Sequence, residues 1–572
     1  MTQMTGSRLF AEMLRDYDVS HVFYIPAIML GGLAEMENMG IKRIMTHGEK
    51  SAAYMADGYA RASGKPGICM SQQIGGSNLA AGLRDAYMAS APLIAITGGP
   101  PTNAHYKNGY QEVEDFSQFD SVTKFNARID DISRMPDLIR QAFRSATSGT
   151  PGPVHLQIKG PHGQIANGTS DLNSLTEKRF SKIPAFRPKA SDEDILQTLT
   201  LLKSVSKPII VAGGGVISSG AQQELITFAQ LLGIPVACSL NGKAVIPDNH
   251  PLAVGVVGSY SRECANKTVC EADLVFFIGS KTGGQTTVDW AVPPTGTTVI
   301  QLDIEGVELG RNYPNSVSLN GDAKVVLQQI LDLCESNGYS SSTFANYTPW
   351  VEHTQTLVKK WRDDFFELLN SNQTPIRPER ICQAISNSLP KDGVVVSDTG
   401  HSGMWTGAMV QLQHSTQSYI RCAGSMGWGF PGAMGVKCAL PDQTVVCFTG
   451  DGAFYYHIAE LETAARFNIN LIVVVNNNGA LNQEIPLWDS AYGSKEAAGN
   501  AELKALWQFE TINFAELAQS LGCVGIRITD PNQLEETLQH AFTLNKPVVI
   551  DVVSDVNAFA KKAWTPKDTY GY

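Results

Sequence analysis

Residues 449–479 read TGDGAFYYHIAELETAARFNINLIVVVNNNG, and this stretch decides the fold. An apolar run at 445–448 stops at Gly450-Asp451-Gly452. An amphipathic segment follows, and a second apolar run at 471–475 ends in Asn476-Asn477-Asn478-Gly479. The order is strand, turn, helix, strand, turn. Each turn falls at the carboxyl end of a strand, the edge where open parallel α/β sheets bind ligands. The residue types suit a metal-bound diphosphate. Mg²⁺ takes a few hard oxygen ligands and shares itself with phosphate oxygens. Asp451 offers a carboxylate and Asn477 an amide oxygen 26 positions later (477 − 451). Gly450 and Gly452 let backbone N–H groups close on phosphate beside a helix N-terminus. A Gly-Asp-Gly tripeptide alone is equally an ordinary turn, and three consecutive Asn residues leave Asn477 and Asn478 as alternative ligands.

At 572 residues, 43% hydrophobic and 17% charged, the chain can bury large cores in about three or four domains. A net charge of −11 without any Lys/Arg block argues against nucleic acid as a partner. The ten Cys are scattered with no C-x-x-C pair, so they read as small buried hydrophobes and not as a zinc or disulfide framework. Near the N-terminus Leu9, Phe10, Met13 and Leu14 alternate with charges, the pattern of an amphipathic helix and not of a signal peptide. No apolar run is long enough to cross a bilayer, and the expectation is a soluble, cytoplasmic protein.

Apolar strands alternating with helical segments divide the chain into blocks at 1–165, 190–335 and 375–554, followed by a tail at 555–572. Strand-like runs fall at 22–25, 67–70, 93–96 and 154–158 in the first block, and at 208–216, 272–279 and 299–303 in the second. Polar stretches at about 163–190 and 335–375 join the blocks, the later one holding a helix near 350–369. This alternation predicts an α/β protein of three doubly wound parallel-sheet domains. Gly213-Gly214-Gly215 follows a strand but lacks the full G-x-G-x-x-G spacing. It reads as a tight strand-to-helix turn, with a nucleotide-binding oxidoreductase as the weaker alternative.

Residues 47–61, HGEKSAAYMADGYAR, place Glu49 where a strand gives way to a small-residue helix. By itself such a Glu merely complements the helix dipole. Taken with SQQIGGSNLAAGLRDAYMASAPLIAITGGPP at 71–101 and the GDG…NN unit, it looks different. The chain resembles the acetolactate synthase-like, pyruvate decarboxylase-like thiamin-diphosphate enzymes across all three blocks. The resemblance implies an N-terminal pyrimidine-binding domain, a central domain and a C-terminal diphosphate-binding domain. It also implies thiamin diphosphate and Mg²⁺ as cofactors, FAD as a further one, and active sites shared between the subunits of a homodimer or homotetramer.

By the same resemblance Glu49 is the catalytic acid, held in a dry site against the aminopyrimidine ring nitrogen. Asp451, Asn477 and the Gly479 carbonyl hold Mg²⁺, with Gly450, Gly452 and Ala453 around the diphosphate. Asp398, Gly400, His401 and Ser402, within VSDTGHSGMW at 396–405, match the diphosphate-contacting turn. His401 and Ser402 stand where the family has Gln-His, and both can still donate to phosphate. Gly424 and Met426, in Gly424-Ser425-Met426-Gly427, match the segment that meets the aminopyrimidine and props the cofactor. Gln111, in Tyr110-Gln111-Glu112, and Lys124 match residues facing the acceptor side. Gln111, His401 and Glu484 join Glu49 as catalytic residues.

Departures from the synthases bear on substrate. Lys281 and Gln285 stand where those enzymes carry two arginines, and Glu484 where they carry a substrate-selecting Trp. Gly48 replaces the His that often precedes the catalytic Glu, and Ile25-Pro26-Ala27 replaces Val-Pro-Gly. The leading expectation is a carboligase that decarboxylates a 2-oxo acid, with pyruvate as donor, and adds the acyl anion to a carbonyl acceptor. Cleavage of a diketone or acyloin stays open beside it, as does a cofactor-binding but inactive subunit. The aromatic, basic tail is read as a lid that excludes water from the site, against a frayed end.

Overall fold

The computed structural model describes residues 2–101, 103–344, 346–493 and 501–566. Three six-stranded parallel sheets form its framework, with strands from His21 to Lys159, from Pro208 to Asn320 and from Val394 to Val553. The apolar runs at 22–25, 67–70 and 93–96 lie in the strands His21–Tyr24, Gly67–Ser71 and Leu93–Gly99, as their patterning predicts. Counted along the chain within each unit, the strands of the first and third sheets are both ordered 2-1-3-4-6-5. The central sheet is ordered 3-2-1-4-5-6. The first and third units are thus wound alike, a likeness that the sequence does not display. In both, the order reverses between strands 1 and 3, where successive connections leave on opposite faces and open a crevice at the carboxyl edge.

One polar stretch is less of a linker than its composition indicates. Thr169–Leu172 pairs antiparallel with Thr2–Thr5, stitching the chain start to the end of the first unit. Behind it the helix Gly6–Asp16 buries Leu9, Phe10, Met13 and Leu14, the predicted apolar face. All ten cysteines are free and eight are buried, as small hydrophobes should be. Among the described residues no helix is long and apolar enough to cross a membrane.

Four helices position the site: α1 (Glu49–Ser63), α2 (Gly76–Ala89), α3 (His401–Met409) and α4 (Gly429–Ala439). α1 and α4 cross backbone to backbone, so closely that a Cβ on Gly58 would fall 1.9 Å from the Gly432 carbonyl oxygen. Around this crossing Ala52, Met55 and Tyr59 share one hydrophobic core with Trp428, Ala433 and Met434. Each large apolar side chain buried there contributes about 1.5–3 kcal/mol. The first and third units are therefore fused at this seam within a single chain.

Candidate active site

In the third sheet the strands Val394–Ser397 and Val445–Gly450 are neighbours at the point of order reversal. The turns that follow them meet: a Cβ on Gly450 would lie 3.7 Å from Ser402 Oγ. Asp451 opens a five-residue helix and is 3% exposed. Its Oδ1 accepts from the Gly452 N–H (2.7 Å), and its Oδ2 from the N–H groups of Gly479 (2.6 Å) and Ala480 (3.2 Å). Burial pushes the carboxyl up, these amides pull it back, and it settles at about 6. Asn477 ends the strand Ile472–Asn477. Its Nδ2 donates to Asp551 Oδ1 (2.8 Å) and the Ile512 carbonyl (3.1 Å), so the amide oxygen is the end left for a cation. Asn478, the alternative ligand, turns its Oδ1 back onto the Ala480 N–H (3.0 Å). The Gly479 carbonyl accepts from the Phe509 N–H (2.7 Å) and keeps a second lone pair.

The Asp398 carboxylate is engaged by the chain's own backbone. Fully buried, it accepts from the N–H groups of Thr399 (2.8 Å), Gly427 (3.1 Å) and Gly429 (2.7 Å). It thereby shapes the turn that carries Met426. Met426 itself is half-buried and belongs to none of the hydrophobic cores, so it is not a packing methionine. The same turn is held from the first unit by a residue that sequence reading missed. Asp85 of α2 accepts from the N–H groups of Ala423 (2.7 Å), Gly424 (3.1 Å) and Ser425 (2.9 Å) and pairs with Arg61 (3.0 Å). Burial pushes Asp85 up, but Arg61 and the amides outweigh it and hold the carboxyl below its usual range. Arg61 also grips Asp57 (2.6 Å), which accepts from Trp428 Nε1 (2.8 Å). Gly424 therefore has its N–H committed to Asp85, leaving its carbonyl for a ligand.

Glu49 lies in the first turn of α1 and is half-exposed in the single chain, not enclosed. Asn78 Nδ2 donates to its Oε2 (3.2 Å), and a Cβ on Gly75 would fall 2.5 Å from its Oε1. Gln111 is held at φ +64° with a buried Oε1 that has no partner among the described residues. Lys124 departs from expectation: its ammonium donates to the Ser148 (2.7 Å) and Thr150 (2.6 Å) carbonyls and is spent on structure. Glu484 is half-buried on the turn Asn482–Glu484, and its carboxylate has no partner among the described residues. Lys281 reaches Ser90 Oγ (2.9 Å). Gln285, where the synthases place an arginine, accepts from a guanidinium supplied by another strand. Arg421 donates to it and to Asn241 Oδ1 (2.8 Å), with no carboxylate partner among the described residues. Opposite this turn His401 shares a hydrogen bond with Asn482, and Phe559 of the tail lies edge-on to its ring (6.1 Å). The last tail residues, 567–572, lie outside the described residues.

An acid at the carboxyl edge of one sheet, and an Asp–Asn–glycine cradle at the carboxyl edge of a like-wound one, define an enzyme that works through a diphosphate cofactor. The comparisons with known proteins name that cofactor. Residues 4–119, 195–330 and 398–552 match the N-terminal, central and C-terminal domains of the thiamine pyrophosphate enzymes. The probable acetolactate synthase large subunit of Methanococcus aeolicus is 30% identical over 96% of this chain and 92% of its own length. The large subunit from Haemophilus influenzae is 30% identical over 97% and 95%, and isozyme 3 of Escherichia coli 28% identical over 97% and 96%. The chain belongs to the thiamine pyrophosphate enzymes of the acetolactate synthase-like family.

Proposed function

We propose that this enzyme decarboxylates a 2-oxo acid, with pyruvate the first donor to test, and joins the acyl unit to a carbonyl acceptor. The placement of Glu49 carries this reading. Asn78 holds its carboxyl at the first sheet's carboxyl edge and the missing side chain of Gly75 leaves room for it, a device that an inactive subunit would not need. Asp451 and Asn477, with the Gly479 carbonyl, would hold Mg²⁺. The backbone around 450–453 and the start of α3 would receive the diphosphate. Met426 would support the cofactor from below the turn that Asp85 and Asp398 fix. When bound, thiamin diphosphate supplies the carbanion chemistry for breaking and making C–C bonds. Glu49 holds and returns the proton on the cofactor's ring nitrogen. Arg421, buried and with no direct carboxylate partner among the described residues, supports a substrate that brings a carboxylate. Glu484 favours a neutral acceptor beyond it, since a second anion would be repelled.

Exposed Ile74, Tyr87, Met88 and Tyr456 support a homodimer in which a second chain covers Glu49. FAD is not part of the proposal. A Cβ on Gly213 would lie 2.1 Å from the Gly279 carbonyl oxygen, so strand packing already accounts for that residue of the glycine cluster.

The test is proton NMR of the protein with Mg²⁺, thiamin diphosphate, pyruvate and a panel of aldehydes and ketones. Loss of pyruvate with a new carboligation product is expected, and Glu49→Gln should slow it by about 10²-fold or more while still binding cofactor. Full carboligation by Glu49→Gln would refute the role of the acid. Inert pyruvate beside cleavage of a diketone or acyloin would replace the reading.

A further inference from the structure

Asn482 is 4% exposed and has both ends engaged. Its Nδ2 sits between two tail carbonyls, those of Val556 (3.0 Å) and Ala558 (2.9 Å), so that end must be the NH₂. Its Oδ1 faces His401 Nδ1 at 2.9 Å. An oxygen there can only accept, so Nδ1 carries the proton. In a neutral imidazole the other nitrogen, Nε2, is then a lone pair. Nε2 has no protein partner among the described residues; His401 opens α3, whose next residue, Ser402, meets the Gly450 turn, and its partner Asn482 follows the Gly479 loop by three positions. Burial lowers the pKa of His401 and the Asn482 bond opposes this only in part, which favours the neutral ring.

We propose that the C-terminal tail, acting through Asn482, fixes His401 as its Nδ1–H tautomer and makes Nε2 a proton acceptor in the active site. His401 then cannot donate from Nε2 to phosphate as the resemblance implies. Nε2 takes a proton from an O–H or N–H of the bound ligand, Asn482 Oδ1 supports the resulting imidazolium, and the proton returns before the ligand leaves. Asn482 is a positioning residue, and the tail carbonyls of Val556 and Ala558 position it in turn. The tail thus takes part in setting the chemistry. The catalytic half of this inference rests on the proposed function, whereas the tautomer does not.

The experiment is imidazole ¹⁵N NMR of the full-length protein labelled at histidine, without cofactor or substrate, with His401→Gln used to assign the signal. A protonated Nδ1 and an unprotonated Nε2 are expected at His401. Asn482→Leu should let the tautomers average or reverse. An Nε2–H signal in the native protein, or an unchanged spectrum in Asn482→Leu, would overturn the proposal. If Asn482→Leu does not fold, Asn482→Asp serves. It keeps an acceptor for Nδ1–H but loses the NH₂ that binds the tail. The tautomer should persist, the His401 pKa should rise beside the new carboxylate, and trypsin should cut faster at Lys561 and Lys562. An unmoved pKa or unchanged cleavage would overturn it. With cofactor and substrates, Asn482→Leu should lower kcat about 10- to 100-fold, taking as a guide the loss when the partner that orients a metal-bound imidazole is removed. The expected spectra in a protein that performs no carboligation would refute the proposed function and leave the tautomer standing.

Discussion

Replacing Asp85 by Asn tests whether the first unit builds the third unit's cofactor turn. The native carboxylate is fully buried and serves three backbone N–H groups, the Cys422 thiol and one guanidinium. An amide has one acceptor oxygen, so its NH₂ must face either Ala423 with Arg61, or Gly424 with Ser425. At least one buried donor is orphaned, at about 1–3 kcal/mol. Arg61 loses one of two carboxylates but keeps Asp57, so the charge loss stays below the roughly 3–5 kcal/mol of a fully broken buried pair. Together these predict a loss of about 3 kcal/mol, a large part of the 5–15 kcal/mol typical of a folded domain. Because the Asp85 carboxyl is held below its unfolded value, its contribution is complete above about pH 4 and is lost only as pH falls through the lower folded value. The measurement is urea unfolding at pH 7, together with thiamin diphosphate affinity of whatever remains folded. Cofactor affinity should fall as well, because the loosened turn carries Gly424 and Met426. Unfolding curves that overlay within about 0.5 kcal/mol, the scatter of inert surface substitutions, would refute the reasoning.

Two further substitutions probe the seam and the first core. Gly58→Ala sets a methyl 1.9 Å from a backbone oxygen of α4, which no rotamer can relieve. It should cost about 1–3 kcal/mol or more, and a melting temperature equal to the native one would show that the two helices do not touch there. His155 is fully buried, bonded to Thr97 (2.8 Å) and Asn126 (2.7 Å), and burial lowers its pKa to about 3. The unfolded state therefore binds the extra proton below about pH 6.5, and the stabilisation present above that pH is lost as pH falls towards 3. In His155→Gln this slope disappears. Native-minus-variant stability should shrink by about 1.4 kcal/mol per pH unit between pH 6 and 4; a constant difference in urea titrations at the two pH values would contradict it.

What could be read from the sequence follows from how locally each function is encoded. The placing of Asp451 and Asn477 at strand ends and of Glu49 at a helix start was legible because strand, turn and helix are contiguous there, while the role of Glu49 came from the resemblance and not from its position. Periodicity reports that a strand exists but not beside which strand it lies, so the shared 2-1-3-4-6-5 order stayed hidden. Asp85 was equally hidden, since the amides it holds lie 338 to 340 positions away and a lone Asp in a helix carries no signal of them. Resemblance failed in the same place. Lys124 matches a residue expected at the acceptor, yet nearby carbonyls claim its ammonium. Conversely, Gln285 departs from the family's arginine while Arg421 brings a guanidinium to it from another unit. A substitution at one position therefore says little about substrate until the residues packed against it from the other units are known.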